Sequence, residues 1–216
     1  MIVKAFHKPF SNHHLGVHSI VDKVYQFKIT LKGIKPPIWR RIQVPETYTF
    51  WDLHVAIQDA MGWEDYHLHE FEMRHPSTGE NVRIGTPTEE AEFFGLEIIS
   101  EYHQKIADWF SVENRIANYT YDFGDNWEHK IQLEKILPRD KNIEYPVCIA
   151  GKRACPPEDC GGIWGYKEFL EAINNPDHEE HEEMLEWVGG EFNPEHFDVN
   201  EVSFDDPNKR RKFAFG

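Results

Sequence analysis

Apolar and polar positions alternate cleanly from Val24 to Leu31. Tyr25, Phe27, Ile29 and Leu31 are separated by Gln26, Lys28 and Thr30. A period of two predicts a half-buried strand. Gly33-Ile34-Lys35-Pro36-Pro37 reads as a turn, and a second strand follows over Ile38 to Val44, with Ile38, Ile42 and Val44 in phase. Arg40 shares that phase. It marks either a bulge or strand end, or a charge placed under the sheet. The period then changes to that of a helix, with Phe50, Leu53, Ile57, Ala60 and Met61 forming one stripe and Trp51 and Trp63 flanking it. Thr49 is placed to cap this helix, Asp52 lies in its first turn, and Gly62 is placed to end it. His67 to Arg74 is predicted as a third strand. Hairpin, helix and strand make a β-grasp-like opening segment or another small α+β arrangement, which by itself says nothing about activity.

Residues 76–100 are less regular, with Thr86-Pro87-Thr88-Glu89-Glu90 leading into a short helix. Two further strands are predicted. One carries Ala117, Tyr119, Tyr121 and Phe123, and the other carries Trp127, His129, Ile131 and Leu133. Gly124-Asp125-Asn126 suits the hairpin turn between them, because Gly and Asn tolerate positive φ. Residues 138–163 read as one long loop rich in Pro, Gly and Cys. Tyr166, Phe169, Leu170 and Ile173 predict a helix stopped by Asn175-Pro176. Asp177 is expected to cap a last helix, with Glu179, Glu180, Glu182 and Glu183 in its first turns, Met184, Leu185, Trp187 and Val188 on its buried side, and Gly189-Gly190 at its end. The organisation expected is a loosely ordered arm over 1–22, a single α+β domain over 23–200, and a C-terminal tail over 201–216. The domain has a mixed or antiparallel sheet, helices packed on one side and an acidic C-terminal helical portion. His7, His13, His14 and His18 lie in the arm without a fixed spacing.

Composition narrows the class. Of 216 residues, 40% are apolar and seven are Trp, enough for a sizeable core and against wholesale disorder. No apolar run approaches a bilayer span, and the N-terminus lacks a charged-then-apolar signal. Three cysteines cannot complete a disulfide framework, so a reducing, cytoplasmic location is expected. The net charge of −15 comes from 38 acidic and 23 basic residues. Thirteen of the acids, and no Lys or Arg, fall in residues 171–206. The acidity therefore belongs to one segment, suited to a basic protein partner. Nucleic-acid binding is not expected without a basic stripe. Lys209-Arg210-Arg211-Lys212 reads as a solvated, mobile tail, with contact to nucleic acid or to the acidic segment before it as the alternatives.

The leading candidate for chemistry is a metal set of Cys148, Cys155, Cys160 and His129. Its Cys-x6-Cys-x4-Cys spacing lies in one Pro/Gly-rich loop. Three thiolates and an imidazole suit tetrahedral Zn²⁺ in a closed, structural site. The alternative is a core histidine bonded to a backbone carbonyl beside reduced thiols. His129 is on the apolar phase of its strand and needs a partner there. Asp122, Asp125 and Glu128 surround the hairpin turn, and Glu158 and Asp159 lie in the Cys loop. If that loop packs on the hairpin, the carboxylates converge near His129, where they could bind a hard cation or serve acid–base catalysis with His129, Asp125 and Glu158 as the candidates. His67 and His69 share a strand face but need further ligands. His178 and His181, one helical turn apart, read as a solvated helix face. No phosphate-binding glycine loop, His-Glu-x-x-His helix or Gly-x-Ser-x-Gly elbow is present.

Tyr121-Asp122-Phe123-Gly124-Asp125-Asn126-Trp127-Glu128-His129 resembles a hallmark of the Ri-plasmid ORF-three-like family. Cys155-Pro156-Pro157-Glu158-Asp159-Cys160-Gly161-Gly162, followed by Gly165-Tyr166, resembles a second. Val24–Trp39 and the helix after it are similar to that family's opening segment, so the resemblance spans about residues 20–200. It implies an association with plasmids and mobile elements but no established activity. The resolvase-like names in that family find no support here, because no nucleophilic Ser amid clustered Arg and no basic helix-turn-helix is present. The function expected is a non-enzymatic protein-interaction or accessory module stabilised by a structural zinc. The alternatives are an enzyme centred on His129, Asp125 and Glu158, and a DNA-associated accessory protein of mobile elements.

Overall fold

The computed structural model describes residues 22–215. The arm expected over 1–22 lies, apart from Asp22, outside them. The alternating segments form strands where expected: β1 Lys23–Leu31, β2 Trp39–Pro45, β3 His69–Arg74, β6 Ile116–Tyr121 and β7 Trp127–Pro138. Helix α1, Phe50–Met61, has the cap that its sequence announces. The Thr49 hydroxyl accepts from the Asp52 N–H, the Asp52 carboxylate accepts from the Thr49 N–H, and Gly62 closes the helix in the left-handed region. The remaining elements are β4 Asn81–Gly85, α2 Glu89–Phe93, β5 Ile98–Ser100, α3 Ile106–Trp109, β8 Val147–Lys152, α4 Gly162–Asn174, α5 His181–Trp187, a 3-10 turn Val199–Glu201 and α6 Pro207–Phe215. Among the described residues no helix is long and apolar enough to cross a membrane.

All eight strands join one sheet in the order β5-β4-β3-β6-β7-β1-β2-β8. Every pairing is antiparallel except β4 with β5, so the sheet is mixed and the class is α+β. After α1 the chain does not return to the side of the β1–β2 hairpin. It forms β3 beyond β7 and β6, so β3 does not pair with the hairpin that opens the fold. One face of the sheet is buried. Phe27, Ile29, Ile42, Val44, Phe71, Tyr119 and Ile131 meet Phe50, Leu53 and Ile57 of α1. Trp109 and Phe110, at the end of α3, close the same core, and Phe50 packs edge-on to Phe71 and Trp109 at 5.1 and 5.9 Å. Tyr166 and Phe169 of α4 join it. The opposite face is polar. Arg41 forks onto Glu134 at 2.6 and 2.8 Å, and Gln26 joins Glu134 to Gln43. Period-two alternation in the strands is the direct cause of this one-sidedness.

Three differences from the sequence reading have physical causes. The segment read as a loop over 138–163 contains β8, a short edge strand bounded by Pro146, whose apolar residues Val147-Cys148-Ile149-Ala150 run consecutively and so show no alternation. The last acidic helix starts at His181 rather than beside Asp177, because Asn175 gathers the N–H groups of Asp177 and His178 into turns. The basic run at 209–212 is not a free tail. It lies in α6, which packs on α1: Arg210 pairs with Asp59 at 2.6 Å, Trp51 donates to the Pro207 carbonyl at 3.0 Å, and Arg211 stacks over Tyr102. These contacts are polar and ionic, and no hydrophobic period announces them.

Arg40 is the charge under the sheet. Only 2% exposed, it donates to the carbonyls of Ala60, Trp39 and Lys152 at 2.8, 3.0 and 3.2 Å, and its guanidinium covers Phe197. It therefore ties the end of α1 to β2 and β8. Arg40→Met leaves buried carbonyls without donors, and unfolding in urea is expected to show a loss of about 2–4 kcal/mol. Arg41→Met, on the solvent-facing pair with Glu134, is expected to cost no more than about 1 kcal/mol. Equal losses in the two variants would refute the tether.

Candidate functional site

A cleft of about 1100 Å³ opens between residues 63–69, Thr86 and the C-terminal segment of Phe204 to Arg210. Residues 63–69 connect α1 to β3, and the Cys loop holds them in place. Trp63 donates to the Pro156 carbonyl at 3.0 Å, the Glu64 N–H to Glu158 at 3.2 Å, and His67 meets Asp159 at 2.7 Å. Tyr121, at the end of β6, donates its hydroxyl to Glu158 in a short hydrogen bond and accepts from the Tyr66 N–H. Glu158, half-buried beneath this rim, has its carboxyl raised, with burial as the main cause.

At the floor, His54 of α1 and His69 of β3 stack face to face, with ring centroids 3.4 Å apart and planes 4° from parallel. Each has its own carboxylate: His54 Nε2 meets Asp65 at 2.8 Å and His69 Nε2 meets Glu101 at 2.7 Å. The Gln58 amide donates to the Tyr119 hydroxyl, the hydroxyl donates to His54 Nδ1, and this order leaves Nε2–H of His54 to donate to Asp65. Thr86 donates to the second oxygen of Glu101. Burial, and then the adjacent His69, push His54 down to about 4. Burial works to raise both carboxyls, yet both stay below their ordinary range. Asp65 faces His54, His69 and Arg210, and Glu101 faces His69, His54 and Thr86. Arg210 bridges Asp59 and Asp205, while its Nη1 stands 4.0 Å from Asp65 and holds no hydrogen bond.

The Cys loop does pack on the hairpin. The Gly161 N–H donates to Asp125 at 3.1 Å, and a Cβ on Gly162 would stand 2.4 Å from the Asp125 carbonyl oxygen. Convergence of carboxylates follows, but on His67. His67 Nε2 lies 2.7 Å from Asp159 and 3.7 Å from Asp122. His129 is on the buried face of β7 as its phase requires, fully enclosed, with Trp63 and Tyr119 rings each 5.4 Å away. Backbone groups of Trp127 and Tyr119 lie close enough to favour its protonated form, yet neither ring nitrogen has a partner at hydrogen-bond geometry. Asp125 is occupied at the turn and Glu158 by Tyr121. The turn itself places Asp122 and Asn126 at positive φ, whereas Gly124 does not need it.

The thiols occupy different elements. Cys148 is in β8, opposite Ile42 of β2, whereas Cys155 and Cys160 are in the loop, and all three are free. Burial pushes all three up, Cys160 to about 12. The positive charge near Cys148 and Cys155 is the Arg40 guanidinium. Among the described residues, the sets of three or more His, Cys, Asp or Glu ligand atoms lying within 4.8 Å of one another are His54–Asp65–His69 and His67–Asp122–Asp159. Cys148, Cys155, Cys160 and His129 are in neither. Sequence reasoning singled out His67 and His69 as sharing a face but found no further ligands. The missing partners come from segments 32 to 92 residues away, beyond any local pattern.

The one-sided mixed sheet, its covering helix and the histidine–carboxylate cleft beside them define an α+β protein built around a polar pocket. The chain belongs to the plasmid pRiA4b ORF-3-like protein family, whose profile matches residues 23–201. It is 40% identical over 173 residues to uncharacterized protein y4hQ of Sinorhizobium fredii (strain NBRC 101917 / NGR234), covering 79% of this chain and 83% of that one. The crystal structure of the protein of unknown function MM3350 from Methanosarcina mazei Go1 matches with a TM-score of 0.78 at 56% identity. The match covers 85% of this chain and 99% of that one.

His129 supplies a direct test of this electrostatic picture. Burial holds its folded value at about 3, below the free imidazole value of 6.5. As pH falls, the unfolded chain therefore takes up this proton first. The stability that His129 contributes is complete above about pH 6.5 and is lost toward pH 3, at about 1.4 kcal/mol per pH unit. His129→Phe is expected to flatten the acid limb of the urea-unfolding profile between pH 6 and 4 by about that slope. Parallel profiles for the two proteins would overturn the assignment.

Proposed function

We propose that this protein binds a small polar molecule in the cleft, with the histidine–carboxylate pairs supplying hydrogen bonds and proton transfer. The observation that carries this reading is the convergence of His67, His69, Asp65 and Arg210 on one open cavity of ligand-sized volume. Buried structural networks perturb titratable groups too. Here, however, the groups line a space rather than filling one. The acid–base capacity noted in the sequence is thereby relocated from His129 to the 63–69 segment. Ligand-observed NMR with a panel of nucleosides, amino acids and sugar phosphates tests it. Hits are expected, and Leu68→Trp, at an exposed position lining the cleft, is expected to abolish them with an unchanged circular dichroism spectrum. An empty screen, or hits that Leu68→Trp leaves intact, would sink the proposal.

A second reading, docking of a basic protein segment on the acidic C-terminal portion, is favoured by α5. That helix has no buried residue, and Trp187, 47% exposed, shares a groove with Glu180, Glu183 and Met184. Titration with a lysine-rich amphipathic peptide is expected to shift backbone resonances of Glu183, Met184 and Trp187 first, with affinity falling as salt rises. Shifts scattered over the whole acidic surface would count against a defined site.

A further inference from the structure

The cluster at the cleft rim sets a problem that the hydrogen bonds alone do not solve. His67 presents one ring nitrogen, Nε2, to two carboxylates: Asp159 Oδ1 at 2.7 Å and Asp122 Oδ2 at 3.7 Å. A single N–H serves one of them well, and the second negative charge is left facing the first. A cation between the three atoms satisfies all of them at once. Their mutual spacing, within 4.8 Å, is close to that of ligands around an ion with bonds of roughly 2.0–2.2 Å.

The donors arrive from three separate places and are held differently. Asp122, at 7% exposure, follows β6, and its other oxygen accepts the Gly124 N–H at 2.8 Å, which aims Oδ2 toward His67. An outer hydrogen bond of this kind orients a metal-binding carboxylate. His67 leads into β3, and Asp159 belongs to the Cys loop. His67 lines the cleft, and the exposed Asp159 borders the groove beside α4 and α5, so positions not filled by protein face solvent. The floor cluster is a poorer cage. The rings of His54 and His69 stack in parallel, so their in-plane lone pairs run side by side rather than meeting, and both nitrogens of His54 already have partners.

We propose that His67, Asp122 and Asp159 form a three-ligand site for a first-row divalent cation, with its remaining coordination positions open to the cleft. One imidazole with two carboxylates suits Mn²⁺ or Zn²⁺ better than Ca²⁺ or Mg²⁺, which prefer all-oxygen shells. The open positions distinguish it from a closed structural site. This goes beyond the ligand-binding reading and does not depend on it. A chain that takes up the metal but binds no compound of the panel keeps this inference and loses that reading.

The test is calorimetric titration of the untagged, chelator-stripped full chain with MnCl₂ and with ZnCl₂, alongside electron paramagnetic resonance of bound Mn²⁺. One equivalent of metal is expected per chain. Asp159→Asn, at an exposed position, is expected to weaken binding at least tenfold with an unchanged circular dichroism spectrum, as are His67→Ala and Asp122→Asn. Asn tolerates the left-handed backbone that Asp122 adopts. The Cys148→Ser/Cys155→Ser variant is expected to bind as the wild type does. The proposal is overturned if the wild type binds neither metal, if Asp159→Asn and His67→Ala bind undiminished, or if binding is lost in the cysteine variant alone.

Discussion

The cleft depends on how closely two backbones approach. The Cys loop lies on the β6–β7 hairpin with no room for a side chain at Gly162, where a Cβ would stand 2.4 Å from the Asp125 carbonyl oxygen. At Gly165 a Cβ would stand 1.9 Å from the Cys160 carbonyl oxygen. Gly162 also holds a φ of +67°, which few other residues adopt without strain. Because the loop can sit this close, Glu158 reaches Tyr121 and Asp159 reaches His67. The two sequence hallmarks, which begin at Tyr121 and Cys155, are thus the two halves of one rim. Moving the loop outward by the width of a methyl group would undo each of these contacts.

The histidines show how one side chain takes different roles according to burial and partners. His129 is enclosed among aromatic rings with neither ring nitrogen at hydrogen-bond geometry, and the cost of charging it there keeps it neutral. His54 and His69 are buried as well, but each faces a carboxylate, and their contact at 3.4 Å disfavours two positive charges on the pair. His67 stays partly open to solvent between two carboxylates. Desolvation decides the first case, and at His54 it leads again, with the stacked His69 adding to it. The far wall of the cleft is set by α6, whose Arg210 is drawn toward α1 by Asp59 and lies near Asp65.

Much of the architecture was legible along the chain. The alternation of β1, β2, β6 and β7, the capping pair Thr49 and Asp52, and the Gly62 stop all report local geometry, and each is found where its pattern predicts. What escaped did so for lack of a local signal. β8 is a short edge strand, β4 and β5 are brief, and α6 docks by ion pairs that no hydrophobic period reveals. The site followed the same rule. His67 and His69 were singled out as strand neighbours, and both line the cleft, although His67 stands before β3 rather than in it and belongs to a different cluster. Glu101, Asp122 and Asp159 were not assignable as their partners, because side-chain contacts across 32, 55 and 92 residues leave no mark on spacing.

By itself, therefore, the sequence determined the periodic elements, the one-sided burial of the sheet, the placement of His129 on its inner face and the family to which the chain belongs. Each of these is encoded in residues a few positions apart or in motifs read directly. Tertiary structure alone decided strand order, the return of the C-terminal helix to α1, and which histidine the carboxylates meet. Strand order turns on pairing between segments far apart in the chain, and the other two on the close seating of one loop and on a few long-range charges. Such interactions exist only once the chain has folded, and no pattern of neighbouring residues specifies them.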